Sequence, residues 1–101
     1  MGGPIGPDPC NLLINNVTIH SPNSDYANLL TLGVVLLVRL GGPNNRTLEV
    51  HTSQGYRVGS LIGLSLAAQL LDCMQAGHEY IAIVTHSNSG VFIVRIERAP
   101  S

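Results

Sequence analysis

The sequence predicts a mainly β domain of about six strands and one α-helix, folded as a small OB-like or SH3-like barrel capped by that helix. Three observations carry this expectation. Apolar residues alternate with polar ones over short runs, the period of a half-buried strand. The runs are separated by clusters of Gly, Pro, Asn and Ser that lie close together, so neighbouring strands connect locally and pair antiparallel. Only residues 64–76 carry a convincing helical spacing of apolar positions.

Residues 1–10 contain three prolines and three glycines, which leaves no room for a regular element. They are expected to be a flexible arm, and residues 11–101 a single domain. In residues 11–20 the apolar positions are Leu12, Ile14, Val17 and Ile19. Their parity changes at Asn15 and Asn16, the mark of a bulge or of a turn between two short strands. Residues 21–25, SPNSD, form a turn cluster. Residues 32–40 read as a strand apolar on both faces, because Val34, Val35 and Val38 are β-branched and Gly33 would weaken a helix. A strand of that kind lies centrally in a sheet or under a subunit interface.

Gly41, Gly42 and Pro43 end that strand. From Arg46 to Thr52 the chain alternates, with Leu48 and Val50 on one face and Glu49 and His51 on the other. Ser53, Gln54 and Gly55 supply a hairpin loop, and residues 56–61 return as the partner strand. Gly59 inside a strand points to a bulge or to a close approach by another backbone or a ligand. In the helix, Leu64, Ala67, Leu70, Leu71 and Met74 make one apolar stripe flanked by Leu66 and Cys73, and Gly77 is placed to terminate it. Two more strands, residues 78–85 and 91–98, flank the turn Ser87, Asn88, Ser89 and Gly90.

Composition narrows the function. The charged fraction is 11%, there is no lysine, and the net charge is -1. A protein that tracks a phosphate backbone carries a basic excess, so contact with nucleic acid would be small in footprint. With 45% apolar residues, part of the surface is expected to be covered by a protein partner or a second copy of the chain. The six carboxylates and four histidines are scattered, with no metal-ligand spacing, activated thiol or phosphate loop among the motifs, so neither a metal, a cofactor nor an enzyme activity is expected. Cys10 sits in the arm and Cys73 on the helix, and their spacing gives no ground for joining them; a reduced, cytoplasmic protein is the expectation. The start lacks a basic segment and an apolar run, and no apolar stretch reaches the roughly 20 residues of a membrane-spanning helix.

The order of elements carries one resemblance. A strand ends at Arg39, a loop follows over residues 41–46, and Thr47-Leu48-Glu49-Val50 forms the next strand. After the turn Ser53-Gln54-Gly55 come Val58-Gly59-Ser60-Leu61 and the helical Leu66-Ala67-Ala68-Gln69-Leu70-Leu71, running on to Gly77. The last two strands, with Tyr80 and residues 91–96, also fit. Over residues 34–98 this pattern resembles the HIRAN domain. The resemblance implies a barrel that captures single-stranded DNA at its 3′ end by aromatic stacking and polar contacts. Pro43 and Asn44 stand where that family has an aromatic and an acidic residue, Ser60 where it has His or Tyr, and His20 near its aromatics after the first strand, with Tyr26 further on. The candidate nucleic-acid-binding residues are therefore Asn44, Asn45 and Arg46 in the loop, Tyr56, Arg57 and Ser60 on the return strand, and His20. The two groups are expected to lie near the same hairpin and form a small groove. A free-standing homo-oligomer that binds a small molecule or inhibits a protein is the alternative; in a plainer reading Asn44 and Asn45 only shape a turn.

Overall fold

The computed structural model describes residues 8–100 of the chain. The strands are β1 (Leu13–His20), β2 (Val35–Gly41), β3 (Thr47–His51), β4 (Arg57–Leu61), β5 (Tyr80–Asn88) and β6 (Val91–Arg98). One helix, α1 (Ala67–Gln75), lies between β4 and β5. The strands close into an antiparallel barrel in the order β1-β4-β3-β2-β5-β6, as the alternation and short connections predict. The remaining expectations on residues 1–7 and on Ser101 fall outside the described residues.

Each strand sends alternate side chains inward. Ile14, Val17 and Ile19 of β1, Leu36 and Val38 of β2, Leu48 and Val50 of β3, and Tyr80, Ala82 and Val84 of β5 are buried in one core with Phe92, Val94 and Ile96 of β6. The expectation that residues 32–40 are buried on both faces is overturned. Leu36 and Val38 point inward, whereas Val35 is 48% exposed and Leu37 half-buried on the outside. A closed barrel has no second core to receive the outer residues. Gly33 adopts φ +85°, ending the turn that starts at Thr31, so the strand begins only at Val35. Before it, Ser24–Leu29 forms a 3-10 helix, opened by the Asn23 side chain accepting from the Asp25 amide at 2.9 Å.

Three local readings hold. The bulge in β1 falls between Ile14 and Val17, where Asn16 takes φ 58°. Gly77 ends α1 at φ 103°, its amide donating to Met74 while the His78 amide donates to Cys73, the Schellman arrangement. The helix starts three residues later than its apolar stripe, because Leu64 and Leu66 lie in the turn that precedes it. Leu70 and Cys73 are its buried residues, and Leu66 points away. At the β5–β6 turn Ser89 and Gly90 both have positive φ, as a two-residue type I′ hairpin demands.

The cysteines depart from expectation. Cys10 and Cys73 form a disulfide, with Cα atoms 5.5 Å apart. Residues 8–10 are accordingly fastened to the domain. Spacing could not reveal this, since the pair are 63 residues apart and meet only because the chain returns past α1. In the chain-entropy picture a closure of that length restricts the unfolded chain by roughly 4 kcal/mol.

β1 joins β4 through only Ile19 with Leu61 and His20 with Ser60. That seam needs a glycine. A Cβ on Gly59 would collide with the Ile19 side chain and lie 2.9 Å from the His20 carbonyl oxygen. Gly59→Ala should therefore destabilise the protein by about 1–3 kcal/mol, read as a lower denaturation midpoint. A variant as stable as the parent would mean that β1 does not approach β4 there.

Candidate functional site

The outside of the barrel is divided by chemistry. Register places Arg39 opposite Glu49, Glu49 opposite Ser60, and Ser60 opposite His20. These four side chains form a polar row across β2, β3, β4 and β1. Directly opposed residues have Cβ atoms roughly 5 Å apart, so such a row is a continuous surface. His51 and Arg57 are opposed in the next row.

Glu49 is the hub. One carboxylate oxygen pairs with Nε2 of His51 at 3.0 Å, and the other accepts from Nε of Arg57 at 2.9 Å. Nη2 of Arg57 donates in turn to the Ser60 hydroxyl. The Glu49 side chain is only 12% exposed. It fits because Gly41, diagonal to it, has no side chain; a Cβ there would overlap the carboxylate. The hydrogen bond from His51, reinforced by that from Arg57, holds the Glu49 carboxyl below the usual glutamate range despite its burial.

A second feature lies at the hairpin end of this face. Tyr56 stacks on Tyr26 with ring centroids 5.5 Å apart and an interplanar angle of 17°. Tyr56 is 52% exposed. The Tyr56 amide donates to the Thr52 hydroxyl, and its carbonyl accepts from the Thr52 amide, so the backbone of Tyr56 is tied across the loop. Tyr26 is carried by the 3-10 helix, which is anchored by the Asn23 amide donating to the Val58 carbonyl at 2.6 Å.

The structure thus brings together Tyr56, Arg57, Ser60 and His20, but not the loop residues. Asn44, Asn45 and Arg46 lie just before the start of β3, whereas Arg57 stands opposite His51 at its end and Tyr56 lies beyond it. The five residues of β3, at about 3.3 Å each, separate the loop from Tyr56, so the loop and the stacked tyrosines do not share a groove. The two asparagines occupy left-handed backbone, φ 63° and 51°, a conformation Asn tolerates better than most residues, and Asn44, Asn45 and Arg46 are all exposed. Their conformation is accounted for by the turn.

Sequence reasoning passed over Tyr26, Glu49, His51 and Arg39 as members of this face. The alternation of β3 already put Glu49 and His51 on one side, which was the available signal. Nothing local marks Tyr26 as the partner of Tyr56. Beside His20, an open groove of about 330 Å³ runs along β1 and the segment after β4, lined by Asn15, Asn16, Thr18 and Ser65 among others. Among the described residues no group of three or more His, Cys, Asp or Glu could hold a metal ion. No helix among them is long and apolar enough to cross a membrane.

Comparison with protein-family models finds none that matches, and no curated protein matches either. Among solved structures, the chain is similar to a protein from Lactobacillus plantarum whose crystal structure came from a structural genomics consortium. Identity is 16%, the match covers 86% of this chain and 95% of the other, and the TM-score is 0.67. At that identity the likeness shows a shared fold.

The Glu49 hub has a pH signature. The folded state holds this carboxyl ionised more strongly than the unfolded chain does, so its contribution is complete above the unfolded pKa. It is lost as pH falls through the lower folded value. Melting temperatures recorded from neutral to acid pH should show that loss in the parent, and Glu49→Gln should be less stable at neutral pH and lack this acid component. Coincident profiles would rule out the carboxylate pairing.

Proposed function

We propose that this protein is a non-enzymatic, HIRAN-like binding module that takes single-stranded DNA, or its 3′ end, on the face built by Tyr26, Tyr56, Arg57, Ser60 and His20. The observation that carries the reading is the pair of stacked tyrosines, one half exposed, with the Arg57 guanidinium next in the chain. Bases stack on such rings at about 1–3 kcal/mol each, whatever their sequence. Stacking supplies affinity without many cations, which suits a chain of net charge -1. Arg57 is already paired with Glu49, so it presents an oriented donor more than a free charge. Phosphate contacts are correspondingly few, and the salt dependence of binding shallow.

Fluorescence anisotropy at low salt, using short single strands ending in a 3′-hydroxyl or a 3′-phosphate, checks this. Binding of the hydroxyl-ended strand is expected, with Tyr56→Ala weakening it roughly tenfold, the equivalent of one lost stack. Absence of binding at low salt contradicts the reading.

A second reading rests on a different observation. The outer face of β2 and β5 is apolar: Val35 is opposed by Ile83 and Leu37 by Ile81. Beyond them on β6 lie Arg95 and Glu97, opposite Ile83 and Ile81, with their own ion pair at 3.6 Å. A second copy of the chain would cover the apolar centre and offer both charges back in a two-fold arrangement. A homo-oligomer of this kind, binding a small molecule or inhibiting a protein, is the alternative function. Light scattering should then give a multiple of the chain mass that Ile83→Glu reduces to the monomer; a parent monomeric at every concentration dismisses it.

A further inference from the structure

Residues 8–10 are held by four contacts. The Asp8 carboxylate accepts from Nη1 of Arg98 on β6 at 2.6 Å, and Arg98 also donates to Nδ1 of His78 at 2.8 Å. The Pro9 carbonyl accepts from the side-chain amide of Gln69 on α1 at 2.6 Å. The Cys10 carbonyl accepts from the hydroxyl of Tyr80, whose body is wholly buried in the barrel. The fourth is the disulfide to Cys73. Together they make a clasp that spans α1, the start of β5 and the end of β6.

The helix depends on this clasp. At nine residues α1 is shorter than the roughly 12–15 at which an isolated helix becomes marginal in water. No side chain caps its N-terminus, and the turn before it exposes Ile62 and Leu66. Of its two buried residues, Leu70 and Cys73, one is half of the disulfide. The barrel depends on the clasp less, since its six strands close on one another without the helix. Losing the bond would therefore loosen α1 long before it opened the barrel.

We propose that the Cys10–Cys73 disulfide is a redox latch, closed to hold α1 against the barrel and opened by a small dithiol or a pair of glutathione-class thiols. The reductant's thiolate attacks the sulfur of Cys10, which is the more exposed of the two, and Cys73 leaves as a thiolate that takes up a proton. A second reductant thiolate then attacks the mixed disulfide at the reductant's sulfur. That releases Cys10, which is protonated, and leaves the reductant as its own disulfide. The protein gains two electrons and two protons, and the reductant loses them. The chain at Cys10 is then held only through hydrogen bonds, the Asp8–Arg98 pair and its packing on the core, and Leu70 is left as the fully buried anchor of α1. An oxidising compartment would keep the latch shut, and entry into a reducing one would open it.

Hydrogen exchange on the full chain, before and after dithiothreitol, tests this, with free thiols counted by mass spectrometry. Reduction should yield two thiols and speed exchange in α1 roughly tenfold or more, as a local opening would, while the central amides of β2, β3 and β5 keep their protection. Cys10→Ser should match the reduced parent and ignore dithiothreitol. Should that variant fail to fold, the reductant titration still decides, because it starts from the folded oxidised chain. Unchanged exchange in α1, an equal loss of protection throughout the barrel, or two free thiols that do not rejoin under a mild oxidant would each overturn the latch.

Discussion

Ile19 occupies the space that a side chain at position 59 would need, and the closure of the barrel turns on that vacancy. β6 holds β1 along most of its length, whereas β4 meets it at only two residue pairs. With a larger residue at position 59 the two strands could not approach, and the sheet would stay open between β1 and β4. The two edges left exposed would then present unpaired amides and carbonyls to other chains. Because Gly59 lets Ile19 in, Ile19 becomes 3% exposed and joins the same core as Val50 and Val58.

Closure also creates the polar face. Glu49, Ser60 and Arg57 belong to a hairpin that could form locally, but His20 and Tyr26 arrive from the other side of the seam. Once Ile19 is seated, His20 must stand opposite Ser60, and the chain leaving β1 turns so that the Asn23 amide reaches the Val58 carbonyl. The 3-10 helix that follows lays Tyr26 on Tyr56. The opposite half of the exterior, on β2 and β5, has no comparable charge network at its centre and keeps its apolar residues outside. One closed sheet therefore presents two surfaces with different chemistry, one suited to stacking and hydrogen bonding and the other to burial against a protein.

Much of the fold was legible because its signals are local. A parity change at Asn15 and Asn16 marked the bulge, Gly77 marked the end of the helix, and the alternation of residues 46–52 gave the two faces of β3. Gly59 was legible as a close approach, though not which residue approaches. The site was less legible. Pairing of Tyr26 with Tyr56, and of Cys10 with Cys73, joins residues far apart in the chain, and no periodicity encodes where a closed sheet brings them. Asn44 and Arg46 drew attention by their chemistry, yet the length of β3 keeps them from Tyr56. The apolar run at residues 34–38 suggested burial on both sides; barrel geometry gives such a strand one inside and one outside.

β1 and β4 close the barrel and thereby put His20 beside Ser60. Cross-strand nuclear Overhauser effects between backbone protons report that contact directly. Such effects are expected between His20 and Ser60 and between Ile19 and Leu61, alongside those linking β1 to β6. Contacts from β1 to β6 alone, with none to Ser60 or Leu61, would contradict it, leaving an open sheet in which the polar row stops at β4.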